Sequence, residues 1–295
     1  MKLPDIVLDR SAVLLLGVCA GAAIGLSFAG HAGSAEPAVM ARSCPAVLAA
    51  GSATAPEVAG ARQCAAPAQQ QLRKTLAQGR PVRIAVFGDS YGDGVWSGLQ
   101  RQLPKQGYEV LKYSEVATGF TRYKRLNLET RASERLGGEP IDIAVISFGA
   151  NDAQGIITDK GEYAPLMSPK WQAQIGERLD RYVAMLRRHN AMVYWVGLPR
   201  MRDGALDRDI GAINDFYAAR MAKLEVPFID TRPIASDGKG QYSAYLADPK
   251  TGKRTLIREG DGIHMSMTGY VWITRSLSER IRNYVEATRA AGTGK

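Results

Sequence analysis

Apolar residues gather in five short runs, over residues 82–88, 108–113, 141–148, 191–197 and 226–230. The run at 141–148, Ile-Asp-Ile-Ala-Val-Ile-Ser-Phe, is the strongest. Short apolar runs bounded by Gly or Asp read as buried strands. Longer segments with helical spacing lie between and after them, at about 92–103, 169–189, 207–224 and 266–290. Strands that alternate with helices predict an α/β protein with a five-stranded parallel sheet covered on both faces. In such sheets the chemistry sits beyond the C-terminal ends of the strands.

The first 79 residues have a different character. Residues 11–30 carry no charge, follow Lys2 and Arg10, and precede the small residues Gly33, Ser34 and Ala35. That order is a bacterial-type secretory signal over residues 1–35, with cleavage after Ala35. Asp5 and Asp9 are unusual in such a leader, and the apolar stretch is long enough to span a bilayer. An uncleaved inner-membrane anchor through residues 11–30 is therefore the competing reading. Cys19 follows the bulky Val18, which argues against lipidation. Under either reading the remainder is periplasmic or otherwise exported.

Residues 36–79 are rich in Ala, Pro and Gln and read as an arm, with a short helix near 66–76. Cys44 and Cys64 are the only cysteines past the leader, and an oxidising compartment favours a disulfide between them. The folded domain is expected over residues 80–290.

Composition changes the picture little. The chain has 295 residues, 45% hydrophobic and 23% charged, as a soluble globular protein would. The net charge of +9 is scattered, with no nucleic-acid-binding motif beside it. It reads as a solvated basic surface, and no nucleic-acid partner is expected.

Histidine narrows the chemistry. Of three, His31 lies in the leader, and His189 ends a helix among Arg187, Arg188 and Asn190. His264 is left as a general base, in Asp261-Gly-Ile-His264 before the last helix. Imidazole can take a proton from a serine near neutral pH, and a carboxylate fixes its tautomer. Gly88-Asp89-Ser90 follows the first strand, Gly119 follows the second, and Gly149-Ala-Asn151-Asp152 follows the third. Each piece also has a plain structural reading: a helix N-cap at Asp89 or Ser90, a strand-ending turn at Asn151, a surface loop at Asp261 and His264.

Taken together and in this order, the four pieces resemble the SGNH (GDSL) hydrolase family over about residues 80–290. The stretches 194–201, 241–245 and 258–264 are similar to a periplasmic bacterial branch of it. The resemblance implies a three-layer α/β/α flavodoxin-like sandwich and makes Ser90 the nucleophile, with Asp261 and His264 as its acid–base pair. It places the Ser90 and Gly119 N–H groups and the Asn151 amide in an oxyanion hole, with no metal or cofactor. Asp89 and Asp152 are expected to brace loops. An exported esterase acting on an acylated carbohydrate or other small ester follows. An O-acyltransferase beside a membrane O-acyltransferase partner uses the same residues, and an inactive glycan-binding module is the reading from another class. Arg122, with Lys124 and Arg125, and the loop holding Pro199, Arg200 and Arg202 are candidates to meet an anionic substrate at the cleft mouth.

Overall fold

The computed structural model describes residues 57–293. Residues 1–35 lie outside them, and so does the Cys44–Cys64 pairing, because Cys44 precedes them. No described helix is long and apolar enough to cross a membrane.

The chain begins with helix α1 (Glu57–Ala77) and strand β1 (Val82–Gly88). Helix α2 (Ser90–Gln102), strand β2 (Tyr108–Lys112) and helix α3 (Leu128–Leu136) come next. Strand β3 (Ile143–Ser147) is followed by a small hairpin, β4 (Ile156–Ile157) and β5 (Tyr163–Ala164). Then come α4 (Pro169–Arg188), β6 (Met192–Val196), α5 (Gly204–Lys223) and β7 (Phe228–Ile229). A second hairpin, β8 (Tyr245–Ala247) and β9 (Arg254–Leu256), precedes the last helix, α6 (Met267–Thr293).

Five strands form one parallel sheet in the order β2-β1-β3-β6-β7. Period-two alternation sends side chains to both faces, and both faces are buried. Ile84, Val86, Ile143 and Val145 face Leu72 of α1, Leu99 of α2, and Leu277 and Ile281 of α6. Ala85, Phe87, Ala144 and Ile146 face the other layer, with Leu136 of α3, Leu179 of α4 and Tyr217 of α5. This is the α/β/α flavodoxin-like sandwich, and its order reverses between β1 and β3, where such sheets place a site.

Two helices start earlier than their apolar pattern suggests, because aspartates cap them. The Asp89 carboxylate accepts from Tyr91 N–H at 2.9 Å, so α2 begins at Ser90. Asp203 accepts from Leu206 N–H at 2.8 Å and opens α5 at Gly204. The run at 226–230 forms a strand of two residues only.

The segment read as an arm contributes to the fold. Ala68, Leu72 and Thr75 of α1 are buried, and Thr75 Oγ1 donates to Asp142 at 2.6 Å. The domain boundary at residue 80 is therefore too late.

Candidate active site

Ser90 sits at the switch point, in the first turn of α2 directly beyond β1. Gly88 ends the strand at φ +153, and a Cβ there would lie 2.2 Å from the Ser147 carbonyl oxygen and 2.7 Å from Gly92 Cα. Only glycine lets the chain turn into the helix this close to β3. Ser90 is half-buried, and a first-turn N–H has no partner within its own helix.

His264 arrives from the far end of the chain, on the turn between β9 and α6. Asp261 shapes that turn: its Oδ1 accepts from the N–H groups of Ile263 and His264 at 2.8 and 2.9 Å. Its Oδ2 meets His264 Nδ1 at 2.6 Å, and His264 Nε2 stands 2.8 Å from Ser90 Oγ. With Nδ1–H donated to the carboxylate, the Nε2 lone pair faces the hydroxyl. Partial burial acts to raise the Asp261 carboxyl, but the His264 ring and the two backbone N–H groups outweigh it and hold it at about 2. The Tyr91 ring stacks on the imidazole at 5.6 Å.

On the opposite side stand Gly119 and Asn151. A Cβ on Gly119 would lie 2.5 Å from Asp152 Oδ1, so the loop after β2 closes only on glycine. The Gly119 N–H has no partner among the described residues. The Asn151 amide donates to Thr118 O at 3.0 Å and to Asp89 Oδ2 at 3.3 Å, so one side chain ties three loops.

Beneath them lie two fully buried carboxylates. Burial, opposed by the Tyr91 N–H and reinforced by Asp152, lifts the Asp89 carboxyl to about 7. Burial also raises Asp152, whose Oδ1 accepts from Thr121 N–H and Oγ1, both at 2.9 Å, and whose Oδ2 accepts from Tyr217 OH at 2.7 Å. Both aspartates act as the loop braces the sequence suggested.

The residues expected at the cleft mouth divide. Arg122 folds back onto its own loop, with Nη1 donating to Ala117 O at 2.8 Å. Pro199 is buried, and Arg200 is paired with Asp207 at 3.2 Å. Arg202 is exposed, has no ion pair among the described residues, and donates to Gly260 O at 2.9 Å.

Sequence reasoning missed Arg178. It is buried on α4, donates to Phe120 O at 2.7 Å and Asp159 at 2.6 Å, and lies 4.6 Å over the Tyr123 ring. A charged residue on an amphipathic helix gives no hint of that, because its spacing fits a solvated face equally well.

A flavodoxin-like sheet with a serine after β1, an asparagine after β3 and an Asp-x-x-His turn before the last helix defines the SGNH-like hydrolase class. The chain belongs to the DUF459 family, described as proteins of unknown function and a family of SGNH-like hydrolases, whose pattern matches residues 83–280. No curated protein matches the chain significantly.

Among solved structures, the fold is similar to the periplasmic domain of a lipopolysaccharide acetyltransferase from Salmonella ser. Paratyphi A. Identity is 10% and the TM-score 0.50, over 68% of this chain and 84% of that one. A GDSL-like lipase from Bacteroides thetaiotaomicron is 15% identical at TM-score 0.43, over 74% of this chain and 98% of its own. An extracellular lipase from Streptomyces rimosus is 14% identical at TM-score 0.42, over 66% and 99%.

Proposed function

We propose that this protein is an exported serine esterase that removes O-acyl groups from a cell-envelope glycan through an acyl-Ser90 intermediate. The observation that carries the reading is the continuous line from Asp261 Oδ2 through His264 to Ser90 Oγ, with contacts of 2.6 and 2.8 Å. His264 Nε2 takes the hydroxyl proton as Ser90 Oγ attacks the ester carbonyl. The N–H groups of Ser90 and Gly119 and one hydrogen of the Asn151 amide receive the negative charge on the carbonyl oxygen. The 3.3 Å contact to Asp89 is the longer of the two Asn151 makes, so that hydrogen is the one to be shared with the oxyanion. His264 then returns the proton to the leaving alcohol. Water, deprotonated by the same nitrogen, attacks the acyl-Ser90 carbonyl, and the proton passes back to Ser90 as the acid leaves.

Transfer of the acyl group to a sugar hydroxyl is the second reading, since an alcohol replaces water without any change of residue. The likeness to an acetyltransferase periplasmic domain favours keeping it. The leader or anchor at residues 1–35 supports export, and an anchor would put the protein beside a membrane O-acyltransferase.

A fluorophosphonate probe tests the reading, with mass spectrometry to locate the adduct. Labelling at Ser90, and none in Ser90→Ala, is expected. Wild-type protein that hydrolyses no short p-nitrophenyl ester and takes no label is the result that overturns it. Added acceptor sugar that lowers free-acid release while forming acylated sugar selects the transferase.

A further inference from the structure

The acid–base turn holds a buried cation that the mechanism above does not use. Arg258 is 1% exposed, and no carboxylate pairs with it among the described residues. Burying a guanidinium without a counter-ion is unfavourable unless its donors are met by well-placed acceptors. Here the acceptors are backbone carbonyls. Nη2 donates to Ile263 O at 2.7 Å, Nε lies 3.4 Å from His264 O, and Nη1 donates to Arg200 O at 2.6 Å. The Tyr242 ring covers the guanidinium at 4.7 Å.

The choice of carbonyls is informative. The Ile263 carbonyl belongs to the peptide on the N-terminal side of His264 Cα, and the His264 carbonyl to the peptide on the C-terminal side. A rigid planar fork that engages both fixes the two peptide planes on which the imidazole is mounted. Asp261 holds the ring by its Nδ1 edge, but a ring held at one edge still moves if its backbone rocks. Three further contacts stiffen the same turn: Tyr91 OH also donates to Ile263 O, Glu259 N–H donates to His264 O at 2.9 Å, and Arg258 and Met265 form a β-bridge. Through Arg200 O, the guanidinium also joins the turn to the loop leaving β6.

We infer that Arg258 is a positioning residue that clamps the backbone of His264 and so sets the line from Nε2 to Ser90 Oγ. The inference rests on the proposed roles of Ser90 and His264. A displacement of about 1 Å at the reacting atoms costs on the order of 10²-fold in rate, and substrate binding need not change.

The test uses full-length protein and p-nitrophenyl acetate. Arg258→Met should lower kcat at least roughly 30-fold with KM within about 3-fold, and slow fluorophosphonate labelling by the same factor. Arg258→Lys, which keeps the charge and can reach one carbonyl, should recover part of the loss. The low-field proton resonance of the His264–Asp261 hydrogen bond should shift or broaden in both variants. Arg258→Met and Asp261→Asn act through the same imidazole, so combining them should cost much less than the product of the single losses.

Folded Arg258→Met with wild-type kcat, or a loss confined to KM, overturns the inference. If neither Arg258 variant accumulates as folded protein, Tyr91→Phe carries the test by removing the other side-chain donor to Ile263 O. A kcat loss of several-fold at unchanged KM, with a shifted resonance, is then expected, and an unchanged kcat and resonance overturn the idea. Wild-type protein that takes no label at Ser90 would instead sink the underlying reading of the site.

Discussion

The amide of Asn151 donates to the carboxylate of Asp89, 3.3 Å away, so the residue before Ser90 holds the side chain on the opposite wall of the site. Asp89 pays for that placement with burial, which lifts its carboxyl from an ordinary value near 3.8 to about 7. Between those two values the folded protein holds a proton that the unfolded chain has released. Asp89 therefore favours the folded state most at and below about pH 4, and that contribution is lost as pH rises through 7. Asp89→Asn should flatten this loss. Denaturant unfolding at pH 5 and pH 8 checks it: the variant should gain on wild type at pH 8 relative to pH 5. An identical pH dependence in the two proteins would refute the assignment.

Asp261 behaves in the opposite way. Its carboxyl, held at about 2, stays ionised above about pH 4, so it adds no limb to a pH profile there. His264→Ala should remove nearly all the rate, while His189→Ala should leave it unchanged. Asp261→Asn should cost less than His264→Ala, because some imidazole keeps the right tautomer. A rate that survives in His264→Ala would rule out the Ser–His mechanism.

Gly119 offers a second probe of the proposed oxyanion side beside Asn151, whose removal also loosens Asp89 and Thr118. A methyl group at Gly119 would press on Asp152 Oδ1 from 2.5 Å and push the N–H away from the site. Gly119→Ala should lower kcat roughly 10²-fold with little change in KM. Steady-state kinetics decides, and a loss seen in KM alone would remove Gly119 from the oxyanion hole.

Helix α1 should matter for stability although it lies before the family match. Leu72 is fully buried, and Thr75 satisfies one oxygen of Asp142 while Arg83 N–H on β1 satisfies the other at 2.9 Å. Leu72→Ala should cost about 2–5 kcal/mol, lowering the melting temperature by roughly 10 °C. A chain starting at Arg80 should lose at least as much, and one starting at Ala66 should lose little. Equal melting temperatures for the two shortened chains would mean that α1 is dispensable.

The strands and the candidate site were legible for the same reason. β1, β3 and β6 are buried on both faces, so their apolar runs stand out, and Ser90 and Asn151 follow directly where those runs stop. Helix α3 left no comparable mark, because only Leu128, Ala132 and Leu136 of its nine residues are buried. The two hairpins have strands of two or three residues, too short for any period to register. Arg258 was invisible because its hydrogen-bond partners are mostly backbone carbonyls, which every residue possesses, and Arg178 because a charged residue at helical spacing fits a solvated face equally well. The pairing of Arg200 with Asp207 likewise depends on how the loop folds back on α5.

Ser90 and His264 are 174 residues apart, one just after the first strand and the other just before the last helix. A growing polypeptide thus presents its serine long before it presents a base. Until the final turn docks, the hydroxyl is as inert as any other alcohol. If Ser90 and His264 act as proposed, hydrolytic activity is for this reason a stringent reporter of complete folding: any lesion that keeps the C-terminal segment from closing over β1 would leave the protein silent, even where most of the sheet has formed.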